Sequence, residues 1–345
     1  MILTIAITTY NRPIPLKATV ESLIPQLNEN VQVTIFDNCS DVVVKDYLEQ
    51  SIPHFTCYPI KVIRHKVNIG PDANFARTFE LCETPYIWTL ADDDLVRSNA
   101  IETIFNEIEH YKHLDLIGFN FNSNCNIVVR DKPIIINNTK AMSNNLDFFG
   151  NWLFMSCSVY KAQEYLKYIR FASWGAYSMA SQIVPAMMAI SKHKTLVLSE
   201  KTIVDNVPIQ DIDQKWSDVK LSLVITSLLE APVNFSDDYL VFGRKLAVQQ
   251  IESVTSPIYV IIKSLDGNLE LIDNYHIYLY KQHFYRTIEF RSNKTKAYLT
   301  FWVWCFLLRN PSLLGLVRRI FKQKFIDRTK MLGKFDLFQR SAQTT

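Results

Sequence analysis

Glycine is scarce in this chain, which has 8 glycines among 345 residues. That is about a third of the ~7% frequency that is usual in globular proteins. The sequence contains no glycine-rich loop of the kind that cradles phosphate groups, and no internal repeat is visible. Architectures built on glycine-rich turns or repeats are therefore disfavoured, as are nucleotide sites that depend on a glycine loop.

Long apolar runs are also missing. The aromatic-rich apolar stretch 297–308 has 12 residues, whereas a membrane-spanning helix needs about 20. The six cysteines form no CxxC pair, which favours reduced thiols in a cytosolic protein. The N-terminal segment has neither a basic region nor a small-residue cleavage site, so we expect a buried strand there and not a signal peptide.

Charge is divided unevenly along the chain. Residues 281–345 hold 14 basic and 3 acidic side chains, whereas residues 1–280 hold 23 basic and 31 acidic ones. This asymmetry favours a polyanionic partner for the C-terminal segment. Residues 312–325 have the pattern of a basic amphipathic helix, which favours an anionic membrane surface over nucleic acid. The alternative is a pair of core helices with a solvated basic face.

Strand and helix patterns alternate over the first 113 residues. Strands are predicted at 2–8, 31–36, 60–65 and 86–90, and helices at 14–27, 41–48, 73–82 and 98–113. Because a parallel crossover needs a helix, the alternation predicts an α/β fold with a mostly parallel sheet and helices on both faces. Ligands in such sheets bind beyond the carboxyl ends of the strands.

The pattern becomes less regular after residue 115. Shorter strands are predicted at 115–122, 127–130, 134–136, 153–160 and 195–205, followed by helices at 217–230, 238–263 and 268–290. We therefore predict an α/β domain over residues 1–215 and a helical region over residues 216–345.

Three consecutive carboxylates, Asp92, Asp93 and Asp94, follow the strand predicted at 86–90. Like charges this close raise each other's pKa unless a cation neutralises them. Mg²⁺ and Mn²⁺ commonly bridge one or two protein carboxylates to substrate phosphates. The pattern therefore favours a metal-bound nucleotide diphosphate, and the alternative is that the aspartates only cap the following helix.

Other polar side chains follow neighbouring predicted strands. Thr8, Tyr10 and Asp37 could contact a nucleobase or ribose, and Arg12 and Arg77 could pair with phosphate. Each of these residues is commonplace in a turn. Their convergence on one edge of the sheet makes them candidates for a single site.

Four segments, in this order and spacing, resemble family 2 glycosyltransferases with the GT-A fold. They are Ile7-Thr-Thr-Tyr-Asn-Arg12, Phe36-Asp-Asn-Cys-Ser40, Asn68-Ile-Gly70 with Asn74, and Tyr86-Ile-Trp-Thr-Leu-Ala-Asp-Asp-Asp94. The resemblance covers residues 1 to about 115. Residues 68–75 look most like transferases that add sugars to bacterial O-antigen or capsule repeat units.

The resemblance implies a sugar donor carried on a nucleoside diphosphate. It implies that Thr8, Tyr10 and Asp37 hold the nucleoside and that Asp92 faces the ribose or the metal shell. Together with Asn68 of the third segment and the phosphate candidates Arg12 and Arg77, these residues make up the predicted donor site. It also implies that Asp93, with Asp94 beside it, binds Mn²⁺ or Mg²⁺. Ala91 stands where many members have the first aspartate of the motif, so the ligand set can differ here.

The resemblance further implies inversion at the anomeric carbon, with a carboxylate base on a helix after the strand near 153–160. Glu164 is the only carboxylate between Gly150 and Ser199, and the expected helix, 177–184, has none. Asp205, Asp211 and Asp213 are the remaining nearby acids, in the segment 205–216, and of these we choose Asp211 as the candidate base. The alternative is that these acids only lie on a solvated loop.

The leading hypothesis is a metal-dependent, inverting glycosyltransferase at the cytoplasmic face of the membrane, acting on a lipid-linked saccharide. One alternative is a sugar-phosphate nucleotidylyltransferase, which would need a glycine-rich loop after the first strand. A second is a non-catalytic module that binds a nucleotide sugar or polysaccharide, which the missing base favours.

Overall fold

The computed structural model describes most of the first 205 residues and short segments of the rest. The described residues are 1–124, 129–145, 149–175, 181–205, 228, 231–235, 238–243, 281, 284–285, 288–290, 293–310, 312–313 and 316. The chain divides into two compact units, Met1–Ile212 with Pro232–Phe235, and Asp213–Ala231 with Ser236–Thr345. The boundary predicted near residue 215 and most of the helices predicted after it lie outside the described residues.

The first unit contains eight described strands and eight described α-helices. The strands are β1 (Leu3–Thr9), β2 (Val31–Asp37), β3 (Ile60–Arg64), β4 (Tyr86–Ala91), β5 (Leu116–Ser123), β6 (Ile134–Ile136), β7 (Ser158–Lys161) and β8 (Thr195–Val204). The helices are α1 (Pro13–Leu23), α2 (Val44–Ser51), α3 (Pro71–Glu80), α4 (Ala100–His110), α5 (Thr139–Asn144), α6 (Phe149–Leu153), α7 (Ala162–Leu166) and α8 (Ile183–Ile190). The second unit contains the described helix α9 (Lys294–Leu308).

The strands form one mixed sheet in the order β3-β2-β1-β4-β7-β5-β8-β6. Strands β3, β2, β1 and β4 run parallel to one another. Strand β7 is antiparallel to both β4 and β5, β8 is parallel to β5, and β6 is antiparallel to β8. The chain builds β1, β2 and β3 outward and then returns to the other side of β1, which creates a crevice at the carboxyl ends of β1 and β4.

The core explains why β1 lies at the centre of the parallel half. Ile5 and Ala6 point to opposite faces of the sheet, yet both are fully buried. Helix α1 contributes Leu16, Val20 and Leu23, which are spaced so that they share one helix face. Strands covered on both faces read as nearly continuous apolar runs, as the sequence of β1 does.

Three of the predicted elements are shorter than expected, and one of them is the helix predicted at 98–113, which spans Ala100–His110. The predicted helix 14–27 ends at Leu23 and continues as a 3₁₀ turn, Ile24–Gln26, because Pro25 has no N–H to donate to the helix. The predicted strand 153–160 is wrong over its first half. Leu153 ends α6, Met155–Cys157 form a 3₁₀ turn, and β7 begins only at Ser158.

Side chains of β4 explain the late start of β7. Trp88 Nε1 donates to the carbonyl of Ser156 at 2.7 Å, and the Thr89 hydroxyl donates to the carbonyl of Met155 at 2.9 Å. These carbonyls therefore bond to side chains and not to a strand ladder. Of the predicted strand 127–130, residues 127 and 128 lie outside the described residues, and 129 and 130 are not in a strand.

Candidate active site

The carboxyl ends of β2, β1 and β4 bring three polar segments of the sequence together. Thr9 is in register with Asp37 of β2, and Thr8 is in register with Ala91 of β4. The acidic residues 92–94 follow β4 directly, while Tyr10 follows β1 and is 43% exposed. The edge therefore presents hydroxyls, one aromatic ring and several carboxylates around a single crevice.

Arg12 links the first segment to the acidic residues. Its Nη1 donates to Asp92 Oδ1 at 2.7 Å, and its Nη2 donates to Asp93 Oδ2 at 2.6 Å. The Thr9 hydroxyl donates to the other oxygen of Asp92 at 2.6 Å. One guanidinium therefore bridges two consecutive carboxylates. Burial acts to lower the pKa of Arg12, but the charges of these aspartates outweigh it and the pKa is raised.

The three aspartates lie in different environments. Asp92 and Asp94 are buried, whereas the side chain of Asp93 is 26% exposed. Burial raises the pKa of Asp92 to about 7, although Arg12 acts to lower it. Burial, together with the charge of Asp93, raises the pKa of Asp94 to about 8. Asp93 is therefore the member of the three whose carboxylate is accessible to a ligand.

Ser156 holds Asp94 from the opposite side of the site. Its hydroxyl donates a short hydrogen bond to Asp94 Oδ2 and accepts from the backbone N–H of Ala91 at 2.9 Å. Ser156 is fully buried in the 3₁₀ turn that precedes β7. The turn that replaces the predicted strand thus fixes both the end of β4 and the third aspartate.

Asp37, at the end of β2, is also completely buried and fully engaged. Arg64 Nη1 donates to its Oδ2 at 2.6 Å, and the backbone N–H of Ser40 donates to its Oδ1 at 2.9 Å. Arg64 is the register partner of Asp37 on β3, and its Nη2 also reaches the carbonyl of Ser40 at 2.7 Å. The aspartate therefore sets the shape of the loop that follows β2.

Asn68 connects that loop to the start of α3. Its side-chain oxygen accepts from Asn38 Nδ2 and from the N–H of Gly70, both at 2.9 Å. Asn38 in turn accepts from the N–H of Ile69 at 2.9 Å. Gly70 has φ +85° and ψ 160°, a conformation that is essentially restricted to glycine. The loop before α3 is thus tied to the loop after β2.

Two predicted site residues are not brought to this edge by a described contact. Arg77 lies in the last turn of α3, where Nη1 is 3.8 Å from Glu80 Oε2. Asp211 lies outside the described residues. The predicted roles of these residues, and of Thr8, Tyr10, Arg12, Asp37, Asn68 and Asp92–Asp94, stay predictions.

The sequence reasoning missed Arg64 and Ser156. Arg64 could have been found, because it ends β3 at the edge where Asp37 ends β2. Ser156 had no such signal, since its role depends on a turn that the sequence predicts as a strand.

The acidic residues fit a divalent cation that is shared with a ligand. Among the described residues, no group of three or more His, Cys, Asp or Glu side chains is placed to hold a metal ion. Asp93 would supply a single carboxylate, and oxygens of a diphosphate would complete the shell. This is how Mg²⁺ is usually held in sites that bind substrate phosphates.

Solved structures identify the class of fold. The chain resembles S. aureus TarS 1-349 in complex with UDP-GlcNAc, with a TM-score of 0.55 and 13% identity over 91% of this chain and 92% of that one. It also resembles the Pyrobaculum calidifontis mannosyltransferase in complex with GDP-Man and Mn²⁺, with a TM-score of 0.51 and 9% identity over 93% and 87% of the two chains. The architecture is the GT-A fold of glycosyltransferases, as predicted.

A family model matches the sequence of the first unit. Residues 4–164 match the model described as glycosyl transferase family 2. The predicted resemblance to family 2 glycosyltransferases is confirmed over this segment.

Two curated relatives share part of this segment. The abequosyltransferase RfbV of Salmonella typhimurium is 28% identical over 103 residues, which are 29% of this chain and 31% of that protein. An uncharacterized glycosyltransferase of Haemophilus influenzae is 30% identical over 115 residues, 33% of this chain and 37% of that protein. The chain thus spans about a third of the length of these relatives.

Proposed function

We propose that this protein transfers a sugar from a nucleoside-diphosphate donor to a saccharide acceptor, with inversion at the anomeric carbon. The observation that carries the proposal is the meeting of Asp37, Arg12 and the Asp92–Asp93 pair at the carboxyl ends of β2, β1 and β4. The family match supports a glycosyltransferase over a nucleotidylyltransferase. Two solved relatives, described in complex with UDP-GlcNAc and with GDP-Man, support a nucleotide-sugar donor.

In this proposal the chain's own residues position the donor. Tyr10 and Thr8 line the nucleoside side, and Asp37 maintains the loop against which the nucleoside lies. The guanidinium of Arg12 can pair with the diphosphate in place of an aspartate, because guanidinium binds phosphate and carboxylate with the same bidentate geometry. Asp93 would hold Mn²⁺ or Mg²⁺, which when bound supplies Lewis-acid stabilisation of the leaving diphosphate.

The reaction itself replaces one bond at the anomeric carbon by another. The acceptor hydroxyl oxygen forms a bond to that carbon from the face opposite the diphosphate, and the bond to the diphosphate oxygen breaks. The hydroxyl proton passes to a carboxylate base, for which we propose Asp211.

Two described acids near this segment are engaged elsewhere. Glu164 lies 2.7 Å from Lys167 and 3.2 Å from Lys194, and Asp205 lies 2.9 Å from Arg97. Asp211 and Asp213 are the other acids of the segment 205–216, and of these two we choose Asp211.

We further propose that the acceptor is a lipid-linked saccharide, such as an O-antigen or capsule repeat unit, at the cytoplasmic face of the membrane. The similarity to an abequosyltransferase supports a glycosyl transfer of this type. No helix among the described residues is long and apolar enough to cross a bilayer. Membrane contact would therefore be made from the surface by the second unit.

Helix α9 provides a face for that contact. One side of the helix is packed, because Ala297, Phe301 and Cys305 are buried at four-residue spacing. The remaining surface exposes large apolar side chains, namely Tyr298 (42%), Leu299 (68%), Trp302 (61%), Val303 (44%) and Phe306 (58%). An aromatic face beside a basic segment is typical of helices that lie in the interface of anionic membranes.

Sedimentation with vesicles of phosphatidylglycerol and phosphatidylethanolamine tests the membrane contact. We expect binding at low salt that weakens when Trp302→Ser and Phe306→Ser are combined. Leu240→Ser is the matched control, because Leu240 is an exposed apolar residue (53%) of the second unit outside α9. Equal sedimentation of all variants would contradict a role for the α9 face.

A donor screen tests the catalytic proposal. Calorimetry with a panel of nucleotide sugars, with and without Mn²⁺, should identify one donor whose binding depends on the metal. A nucleotide-release assay with that donor then separates a transferase from a module that binds without transfer. Absence of binding to every nucleotide sugar would overturn the proposal.

A further inference from the structure

The guanidinium of Arg12 lies between Asp92 and Asp93 and bridges the two carboxylates. Both of its terminal nitrogens are within 2.7 Å of a carboxylate oxygen. Its third nitrogen, Nε, is buried and has no hydrogen-bond partner among the described residues. Both terminal nitrogens of the guanidinium therefore bond to the aspartates, while the Nε–H has no acceptor among the described residues.

The loop before Arg12 holds it in this position. Asn11 has φ +55°, a left-handed conformation that asparagine tolerates better than most residues. Its side chain donates to Asp41 Oδ2 at 3.0 Å and accepts from the N–H of Asp41 at 2.7 Å. Its own N–H donates to the Ser40 hydroxyl at 2.9 Å. The backbone before Arg12 is therefore held in place by the hydrogen bonds of Asn11 to Ser40 and Asp41.

The ion pairs set up a competition for Asp93. A divalent cation that approaches this carboxylate meets a guanidinium already bonded to Oδ2, and the two positive charges repel each other. A diphosphate changes the balance, because it offers the guanidinium new anionic oxygens and offers the metal new ligands. Metal and diphosphate therefore favour each other's binding.

We propose that Arg12 is an internal counter-ion that excludes the metal until a diphosphate arrives. In the arrangement described above, Arg12 neutralises Asp92 and Asp93. On donor binding it releases Asp93 and pairs with the diphosphate, so that metal and diphosphate bind as a coupled pair and the metal alone binds weakly. This inference rests on the proposed function, because it assigns a further role to a residue of the same site.

The test measures Mn²⁺ binding directly, from the electron paramagnetic resonance signal of free Mn²⁺, with no sugar transfer involved. Titrations are made at pH 8 with and without inorganic pyrophosphate, which carries the diphosphate without a nucleobase. Arg12→Gln should bind Mn²⁺ alone about tenfold more tightly than the wild type does. Pyrophosphate should raise the Mn²⁺ affinity of the wild type by about tenfold more than it raises that of Arg12→Gln. Lys17→Gln is the matched control, because it removes one positive charge from α1 and breaks only an exposed pair with Glu21.

A second variant covers the case in which Arg12→Gln does not fold. Arg12→Lys keeps the charge but cannot bridge two carboxylates in the same way, so we expect an intermediate affinity for Mn²⁺ alone. Circular dichroism and the shift of the melting temperature on addition of Mn²⁺ establish that each variant is folded and occupied.

The outcomes separate this inference from the proposed function. If Mn²⁺ alone binds the wild type as tightly as it binds both Arg12 variants, the counter-ion role is wrong while the donor site stands. If neither the wild type nor any variant binds Mn²⁺ in the presence of pyrophosphate, the metal-dependent function fails, and this inference fails with it.

Discussion

The two halves of the sheet differ in where their polar side chains lie and in what these side chains bond to. In the parallel half, β3-β2-β1-β4, charged side chains collect at the carboxyl ends of strands, as in the pairs Arg12–Asp92 and Arg64–Asp37. In the mixed half, β7-β5-β8-β6, polar side chains lie within and between the strands and bond to backbone carbonyls. Asn120, for example, donates to the carbonyl of Asn151 at 3.1 Å, and Asn122 to that of Glu200 at 2.8 Å.

Arg130 illustrates the contrast with Arg12. It is only 3% exposed, and its Nε donates to the carbonyl of Ser199 at 2.9 Å. Burial lowers its pKa to about 10. The register of β5 with β8 shifts three times along this region, and these side chains satisfy carbonyls that the irregular ladder leaves open. In the proposed function the charges of the parallel half bind a ligand, whereas the polar side chains of the mixed half hold the sheet together.

The largest effect should come from the parallel half. Asp93→Ala removes the carboxylate that we propose to hold the metal and the donor. We expect transfer to fall by about a thousandfold, which corresponds to about 4 kcal/mol of lost transition-state stabilisation. The fold should persist because the side chain is partly exposed. Single-turnover transfer and circular dichroism check this, and near-normal turnover of the folded variant would contradict the division between the halves.

Substitution of one glycine in each half compares the cost of steric crowding with the cost of backbone strain. A Cβ on Gly118 of β5 would lie 2.3 Å from the carbonyl oxygen of Val159, so Gly118→Ala should reduce the free energy of unfolding by about 3 kcal/mol. A Cβ on Gly70 meets nothing within 4 Å. Gly70→Ala should therefore cost only the strain of its positive φ, about 1–2 kcal/mol.

Denaturant unfolding of both glycine variants measures the difference. A larger loss for Gly70→Ala than for Gly118→Ala would show that the mixed half relaxes around an added methyl group.

The hydroxyl of Ser156 joins the two halves. Ser156→Ala leaves the buried Asp94 carboxyl and the N–H of Ala91 without this partner, and we expect a loss of about 2 kcal/mol in the free energy of unfolding. Ser191→Ala is the control, since the Ser191 hydroxyl bonds within its own turn, to the carbonyl of Met188. Equal stability of the two variants would show that the Ser156 hydroxyl does not stabilise the junction of the two halves.

The smallest effect concerns Glu164 at the end of the mixed half. Burial acts to raise its pKa, but hydrogen bonds from Lys167 and Lys194 outweigh it, and the pKa lies below its ordinary 4.5. The ionised form is therefore favoured by folding, so its contribution is present above pH 4.5 and is lost as the pH falls through the folded pKa. Glu164→Gln should cost about 1 kcal/mol at pH 7.

Denaturant unfolding of the wild type and of Glu164→Gln at pH 7 and pH 3 tests whether the ionised form of Glu164 stabilises the fold. The difference between them should shrink at pH 3, and transfer at pH 7 should be unchanged. A large loss of transfer would instead make Glu164 a candidate base.

The sequence was sufficient for the parallel half. Apolar runs ended by polar clusters predicted β1 to β4 nearly to the residue. For β1 and β4 the reason is that strands covered on both faces are largely apolar. It also predicted that residues 8–12, 37–41 and 91–94 would meet, since the carboxyl ends of parallel strands share one edge. The scarcity of glycine was informative too, because this site uses loops braced by asparagine side chains.

Only the tertiary structure decided how the charges are paired. Arg12, a predicted phosphate ligand, bridges Asp92 and Asp93, because the buried carboxylate of Asp92 needs a counter-charge. Ser156 entered the site through a turn whose carbonyls bond to side chains of β4. Contacts of this kind join residues that are far apart along the chain, so no local pattern in the sequence records them.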